Sequence, residues 1–451
     1  MKKNKVKYSM KDLAALEQIN LNAAGIDVGA AEIYVAVPPG RDEVSVRVFA
    51  TYTADLAAAA DWLSQCGITT VAMESTGVYW IPLYELLESR GFEVYLVNAR
   101  HLKNVTGRKT DISDCQWHQQ LHTYGLLAAS FRPPEHICAV RALVRQREML
   151  IRYRAAHIQH MQKALQQMNI QLTQVLSDIT GVTGLQIIRA IVAGQHDPQQ
   201  LAQYRQSQCQ KSQEEIVKAL EGNYRQEHLF VLGQALTLYD FYGQQLAECD
   251  QELAAMYQAF EPAEPATDPP DPKRGKRRKN QPFFDLAQEL YRLTGVDLTQ
   301  IDGLDALSVQ TILSEVGTDM SPWPTVKHFT SWLRLAPNNR ITGGKVKSRS
   351  SGKTDNRAST AFRVAAQSLA RSDSALGAFY RRIKAKHGAP TAIVATAHKL
   401  ARIFYFMLKR REPYRGGSSA EYEQEHKERS IRYLQRKAAK LGFQLVSLEA
   451  T

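Results

Sequence analysis

Two carboxylates three residues apart, Asp111 and Asp114 in the stretch from Gly107 to Cys115, do chemistry only in company. With Thr110 as a helix cap, the i, i+3 spacing sets both side chains on one face of a first turn. Two bare carboxylates that close repel, so a cation or a proton is needed between them. Two further acids end short apolar runs: Asp27 closes 21–27 and Glu74 closes 70–74. Four acids converging from two strands and a helix make a Mg²⁺ site for phosphoryl transfer, where the ion polarises a phosphate and stabilises the oxygens in flight. Two ions in such a site would stand roughly 3.5–4 Å apart. Each acid alone has a plainer role, Asp27 as a turn cap and Glu74 as a partner for Arg108.

The elements that must position these acids follow in order. Residues 1–20 read as a polar tail. Runs 21–28, 32–37 and 44–49 are rich in β-formers and separated by Gly29 and by Pro38-Pro39-Gly40, which predicts an antiparallel meander. A helix over 54–65, a buried strand over 69–73, a helix over 81–89 and a strand over 94–97 precede the helix that opens at Asp111. A three-strand meander followed by α/β alternation is the order of an RNase H-like fold, whose metal acids sit at the ends of the first and fourth strands and on a late helix. This α/β domain is expected over 21–135.

Beyond Pro133-Pro134 the pattern turns all-α. Val144, Ile151, Ile158, Met161, Leu165, Met168 and Leu172 fall on a 3/4 seam, and a second long helix over about 227–260 could fold back on it. This helical or coiled-coil domain, 136–261, is either a two-helix core or an arm for dimerisation or nucleic-acid contact. Arg141, Arg145, Arg147, Arg152 and Arg154 favour the arm. A Pro-rich basic linker follows over 262–283, with nothing in it able to bury surface. A helical C-terminal domain over 284–418 carries a helix-hairpin-helix-like element around Gly303, of the kind that binds phosphates through backbone N–H groups. A charged segment, 419–451, ends the chain as a helix.

Length and charge narrow the function. The 451 residues suffice for about three domains, and no run approaches the roughly 18 apolar residues of a membrane span. The basic N-terminus lacks an apolar stretch for secretion. Five scattered cysteines without a Cys-x-x-Cys pair suit a reducing cytoplasm and argue against zinc. Positions 331–415 hold 19 Lys and Arg against three acids, while the whole chain nets only +12. The basicity therefore belongs to one segment, as in a polyanion-binding surface. Phe362, Phe379, Tyr380, Phe404 and Tyr405 interleave with it, which favours nucleic acid. His118 and His122 imitate a zinc pair, but without a third ligand at a useful spacing they read as solvated or second-shell groups.

A second chemical element lies within that segment, at 335–345 and 348–353. It is punctuated by glycine and rich in hydroxyls, with Arg340, Lys345, Lys347, Arg349 and Lys353 around it. A hydroxyl among such cations can attack a phosphate while they stabilise the pentavalent charge. A plain phosphate-binding loop has the same composition.

Taken jointly, Asp27, Glu74-Ser-Thr-Gly77, Lys109-Thr-Asp-x-x-Asp114, the Gly303 hairpin, Leu335-Ala-Pro and Thr342-Gly-Gly-Lys345 resemble the DEDD (RuvC-like) transposases. These are bridge-RNA-guided insertion-sequence recombinases, the insertion sequence one-ten / eleven-eleven group. The resemblance covers about 21–130 and 284–411 and implies a RuvC-like N-terminal domain with Asp27, Glu74, Asp111 and Asp114 as metal acids. It implies a C-terminal transposase domain whose nucleophile becomes joined to DNA. It also implies a homo-oligomer (dimer or tetramer) whose subunits can share a site, and an element-encoded RNA that pairs with donor and target DNA. The setting would be prokaryotic cytoplasm, at the nucleoid. The family serine aligns with Thr342, whose extra methyl restricts χ1; Ser351, in its own Ser-Gly, is the alternative nucleophile. Lys109, Arg340 and Lys345 are the expected phosphate clamps. A water-using RNase H-like nuclease (junction resolvase) shares the acids, and a non-catalytic nucleic-acid scaffold needs none of them.

Overall fold

The computed structural model of the chain describes residues 17–75, 77–98, 111–270, 280–337, 340–343, 345–348 and 356–446, with the backbone alone at 111, 340–342 and 345–348. The chain divides into two compact units, 1–132 and 133–451.

The first unit is built on a five-stranded sheet. β1 (Ala23–Val28), β2 (Glu32–Ala36) and β3 (Val46–Ala50) form the antiparallel meander, and β4 (Thr70–Glu74) and β5 (Glu93–Val97) join as parallel strands. The sheet order is β3-β2-β1-β4-β5, so β1 and β4, the strands that end in acids, are neighbours at its centre. Parallel neighbours need crossover connections. α1 (Thr53–Gln65) and α2 (Trp80–Ser89) supply them and bury Leu63 and Leu87 against Ile26, Ile33 and Met73 on one face of the sheet. α3 (Asp111–Thr123) packs on β1, β2 and β4, where Leu121 meets Ala72, Tyr95 and Val97 on the opposite face. Strand order and helix placement bear out the α/β expectation, element by element.

The second unit is helical. α4 (Glu135–Gln167) and α9 (Gln226–Ala259) run antiparallel, each about 50 Å long at 1.5 Å per residue. Between them α5 (Leu172–Val175), α6 (Val182–Val192), α7 (Pro198–Ala202) and α8 (Gln213–Leu220) fold into a cap whose Ile187, Ile188, Ile191 and Leu220 bury the far end of the pair. The sequence pattern gives no warning of this cap. α10 (Leu286–Thr294), α11 (Ala306–Val316), α12 (Val326–Trp332), α13 (Arg357–Ser368), α14 (Ala375–His387), α15 (Ala389–Arg410) and α16 (Ser419–Lys440) follow, with a hairpin of β6 (Arg340–Thr342) and β7 (Lys345–Ser348) before α13.

Four expectations change here. Four of the five arginines of α4 are engaged by side chains of the same unit. Arg147 is buried and paired with buried Asp250 of α9, Arg145 and Arg141 both reach Glu315 of α11, and Arg154 lies 4.2 Å over the Tyr239 ring. Arg152 alone of the five keeps an exposed, unengaged position among the described residues. The aromatics interleaved with C-terminal charge are core: Phe362, Tyr380, Phe404 and Tyr405 are at most 3% exposed, because they fall on the inner face of helices whose outer face carries the charge. The front of the linker is packed, since Ala263 and Ala266 donate backbone N–H groups to the Arg292 and Gly295 carbonyls at 2.8 Å; its basic run at 273–279 lies outside the described residues. At Gly303 (φ +86°) the chain turns into α11, but Asp305 caps that helix itself, accepting from the Ser308 N–H at 2.9 Å. One of the donors that a phosphate would use is thereby taken.

The buried pair also holds the Phe283 N–H, through Asp250 Oδ2. Removing one partner leaves a bare buried charge, whereas replacing both leaves none. Asp250→Ala is expected to destabilise the second unit by about 3–5 kcal/mol, and Arg147→Met with Asp250→Leu to recover most of that. Denaturant melts of the three proteins read the difference.

Candidate metal-binding and phosphoryl-transfer site

The last residues paired between β1 and β4 are Ile26 and Met73. One step further along each strand stand Asp27 and Glu74, side by side on strands about 4.8 Å apart. Side chains alternate along a strand, so these two share the face of Gly25 and Ala72, the face that α3 covers. Both are half-buried.

Glycine at position 25 lets α3 arrive. A Cβ there would stand 2.2 Å from the Gln119 nitrogen and 2.3 Å from the Cys115 carbonyl oxygen, so helix backbone lies directly on strand backbone. The direction of α3 is fixed by what it touches. Its C-terminal end meets the start of β1, where Ile19 and Asn20 donate to the Thr123 carbonyl at 2.9 Å and the Asn20 side-chain amide to the His122 carbonyl at 2.8 Å. It also meets the start of β4, where Thr70 Oγ1 and His122 Nε2 share a 2.8 Å hydrogen bond. The helix therefore runs antiparallel to both strands, and its first turn arrives at the ends that carry Asp27 and Glu74. Asp27 lies about 7 Å beyond Gly25 along the strand, and Asp114 and Asp111 about 4 and 9 Å beyond the middle of the Gly25 crossing. The four acids share one end of the sheet.

Cys115 reports the same convergence. Burial pushes its thiol up to about 12, with the carboxylates of Asp27 and Asp114 adding to the rise. Two acids from different elements thus act on one sulfur. The donor set is hard carboxylate oxygen, which suits Mg²⁺. Asp114 is half-buried beside this end, and Asp111 opens the helix. Among the described residues no three acids, histidines or cysteines close into a group that could hold an ion. Lys109, Thr110 and Arg108 lie outside the described residues.

His118 and His122 are not solvated. Each is at most 3% exposed; His118 Nδ1–H donates to the Ile26 carbonyl at 3.1 Å, one residue before Asp27. They staple α3 to the sheet. Their spacing is visible in the sequence, as is a glycine inside a strand, a mark of close backbone approach, but only the fold shows what each meets.

Within the hydroxyl segment the described residues 340–342 and 345–348 pair as a β-hairpin. β-branched Ile341, Thr342 and Val346 favour strand, and Gly343 (φ +57°) turns the chain so that Thr342 pairs with Lys345. Thr342 is thus the last strand residue before the turn. Arg340 pairs with Ser348 and Lys347 lies in β7; Arg349, Ser351 and Lys353 lie outside the described residues.

Two family models match the chain. One, for DEDD transposases of IS110 and described as "Transposase", covers residues 24–170; the other, "Transposase IS116/IS110/IS902 family", covers 297–381. The first span contains all four acids and the second contains Thr342. No curated protein matches the chain.

Two outcomes follow from the packing of α3. Gly25→Ala places a methyl inside backbone, beyond the reach of rotamer relief, and is expected to cost about 3 kcal/mol or more, read as a lowered melting temperature with loss of any activity that uses Asp27 and Asp114 together. His122 is held neutral by burial, its pKa pushed down from 6.5 to about 4. Its folded value lies below its unfolded one, so unfolding takes up a proton as pH falls from 6.5 to 4. Stability is expected to drop across that window by up to about 3 kcal/mol and to level off below it. His122→Gln removes that slope in melts recorded against pH.

Proposed function

Because this chain belongs to the IS110 family of DEDD transposases, we propose that it cuts and rejoins DNA strands through a covalent protein–DNA phosphoester, with Mg²⁺ assistance and a bridge RNA as guide. Transposases of insertion sequences act on DNA, and the coarse activity comes with membership. The observation that supports the finer reading is the convergence of Asp27, Glu74 and the first turn of α3 on one end of the sheet.

Asp27, Glu74, Asp111 and Asp114 would hold the ion, which supplies Lewis-acid polarisation of the scissile phosphate when bound. Thr342 Oγ1 attacks phosphorus: an Oγ1–P bond forms as the bond from phosphorus to a sugar oxygen breaks, and the hydroxyl proton passes overall to that leaving oxygen. The bond energy is kept in the phosphoester, so a second DNA end can reverse the step. Arg340, Lys345 and Lys347, with Lys109, Arg349 and Lys353, bind phosphate oxygens and stabilise the charge that develops on them. Ser351 is the alternative nucleophile. The acids belong to the first unit and Thr342 to the second, and the reaction needs both on one phosphate, from one subunit or from two subunits of a homo-oligomer. Sequence choice then rests on RNA pairing, with the protein reading backbone and shape. A prokaryotic cytoplasm, at the nucleoid, suits such a partner set; among the described residues no helix is long and apolar enough to cross a membrane.

Incubation of protein, guide RNA, Mg²⁺ and element-end DNA is expected to yield a nucleotide-bearing peptide containing Thr342 in mass spectrometry. Recovery on Ser351 reassigns the nucleophile, and cleavage with no adduct favours the water-using nuclease. Asp27→Asn and Asp114→Asn are each expected to abolish joining, by 10³-fold or about that, with DNA and RNA binding retained. Full joining by either variant removes the metal role. Neutralisation of about eight phosphates gives a slope near −7 for log K against log salt, and a flat response contradicts nucleic-acid binding.

A further inference from the structure

On α15 the inner face (Ala392, Thr396, Leu400, Phe404) is core, and the opposite stripe is not. Val394, His398, Lys399, Arg402 and Phe406 follow 3/4 spacing along one open face and line a cavity of about 1010 Å³. Phe379 of α14 closes one side, and Leu335 and Pro337, the last described residues before the Thr342 hairpin, close another. The volume is that of a ligand site rather than a packing defect. No acid lines it.

Among the described residues its two cations, Lys399 and Arg402, form no ion pair, while burial and the neighbouring Arg402 hold His398 below the usual imidazole range. Lys399 is half-buried, its ammonium 4.1 Å over the Phe379 ring and 5.7 Å over Tyr422 of α16. Burial, with Arg382, Arg429 and Arg402 nearby, pulls its pKa down; Glu425 alone acts the other way, and it is already paired with Arg429 at 2.7 Å. A half-buried lysine and an exposed arginine beside an apolar, aromatic wall suit a ligand with an anionic end and a flat apolar body. A nucleotide has that form, carrying its phosphate one sugar away from a stacking base.

We propose that this cavity takes one unpaired nucleotide, with the base against Phe379 and Phe406 and the adjoining phosphate on Lys399 and Arg402. The proposal rests on the nucleic-acid reading above and goes beyond it, since that reading requires only backbone contacts. DNA displaced from a duplex and an unpaired RNA nucleotide share this chemistry. Position beside the hairpin would let the cavity hold a base extruded near the strand being cut.

The test uses the full-length protein with two single-stranded probes, a DNA carrying one 5-iododeoxyuridine and the same sequence as RNA carrying 5-iodouridine. Photocrosslinks are expected on the peptide bearing Phe379 or on α15, and whichever probe gives them identifies the source. Phe379→Leu, and separately Lys399→Met with Arg402→Gln, are expected to weaken that probe's binding about tenfold while duplex affinity stays within about twofold. Melting temperatures establish that each variant is folded, and the crosslink position on the unaltered protein decides the matter if one is not. Crosslinks elsewhere from both probes, equal losses for duplex and single strand, or full competition by polyglutamate each overturn the proposal. If duplex binding and strand joining persist without a crosslink in the cavity, the cavity proposal alone fails; if no nucleic acid binds, the functional reading fails with it.

Discussion

The absence of a side chain at position 25 is the constraint on which the acidic site depends. Helix backbone at Cys115 and Gln119 rests on strand backbone at Gly25, and the approach leaves no room for a methyl. That contact sets how far along β1 the helix lies, while Asn20, Thr70 and His122 at the other end set its direction. The strand ends with Asp27 and Glu74 and the first turn of α3 with Asp114 are brought to one end of the sheet by contacts made at a different place.

Much of this was legible in the sequence, because the period-2 and period-3.6 patterns of the first 125 residues are clean and the acids stand where apolar runs stop. Asp27 and Glu74 fall at neighbouring strand ends, and α3 opens at Asp111 as the pattern implies. What stayed hidden depends on partners distant in sequence. Nothing local distinguishes Arg147, buried against Asp250 103 residues away, from a solvated arginine of a basic arm. Phe362 and Phe404 look like stacking platforms when counted with their charged neighbours, and become core once the helical faces are separated. The two histidines of α3 looked idle for the same reason: their partners, Ile26 and Thr70, come from strands.

Charge in the second unit therefore has two uses that composition merges. Part of it is paired within the unit, buried in Arg147 with Asp250 and exposed in Arg145 with Glu315, which tie α4 to α9 and to α11. Removing such pairs changes stability rather than affinity for a polyanion. The rest, on the open face of α15, forms no ion pair among the described residues, Glu425 near Lys399 being already paired with Arg429, and lies on the same unit as the Thr342 hairpin. A polyanion is the natural counterpart of the second group only.

Asp27, Glu74, Asp111 and Asp114 are proposed to hold one cation site at the end of the sheet. Its most direct measurement replaces Mg²⁺ with Fe²⁺ and adds ascorbate and peroxide, so that radicals formed at the ion cut the nearest backbone, with the fragments mapped by mass spectrometry. Cuts clustered beside positions 27, 74 and 111–114, suppressed by excess Mg²⁺, are the predicted result. Cuts confined to other segments, or a pattern that Mg²⁺ does not suppress, would contradict it.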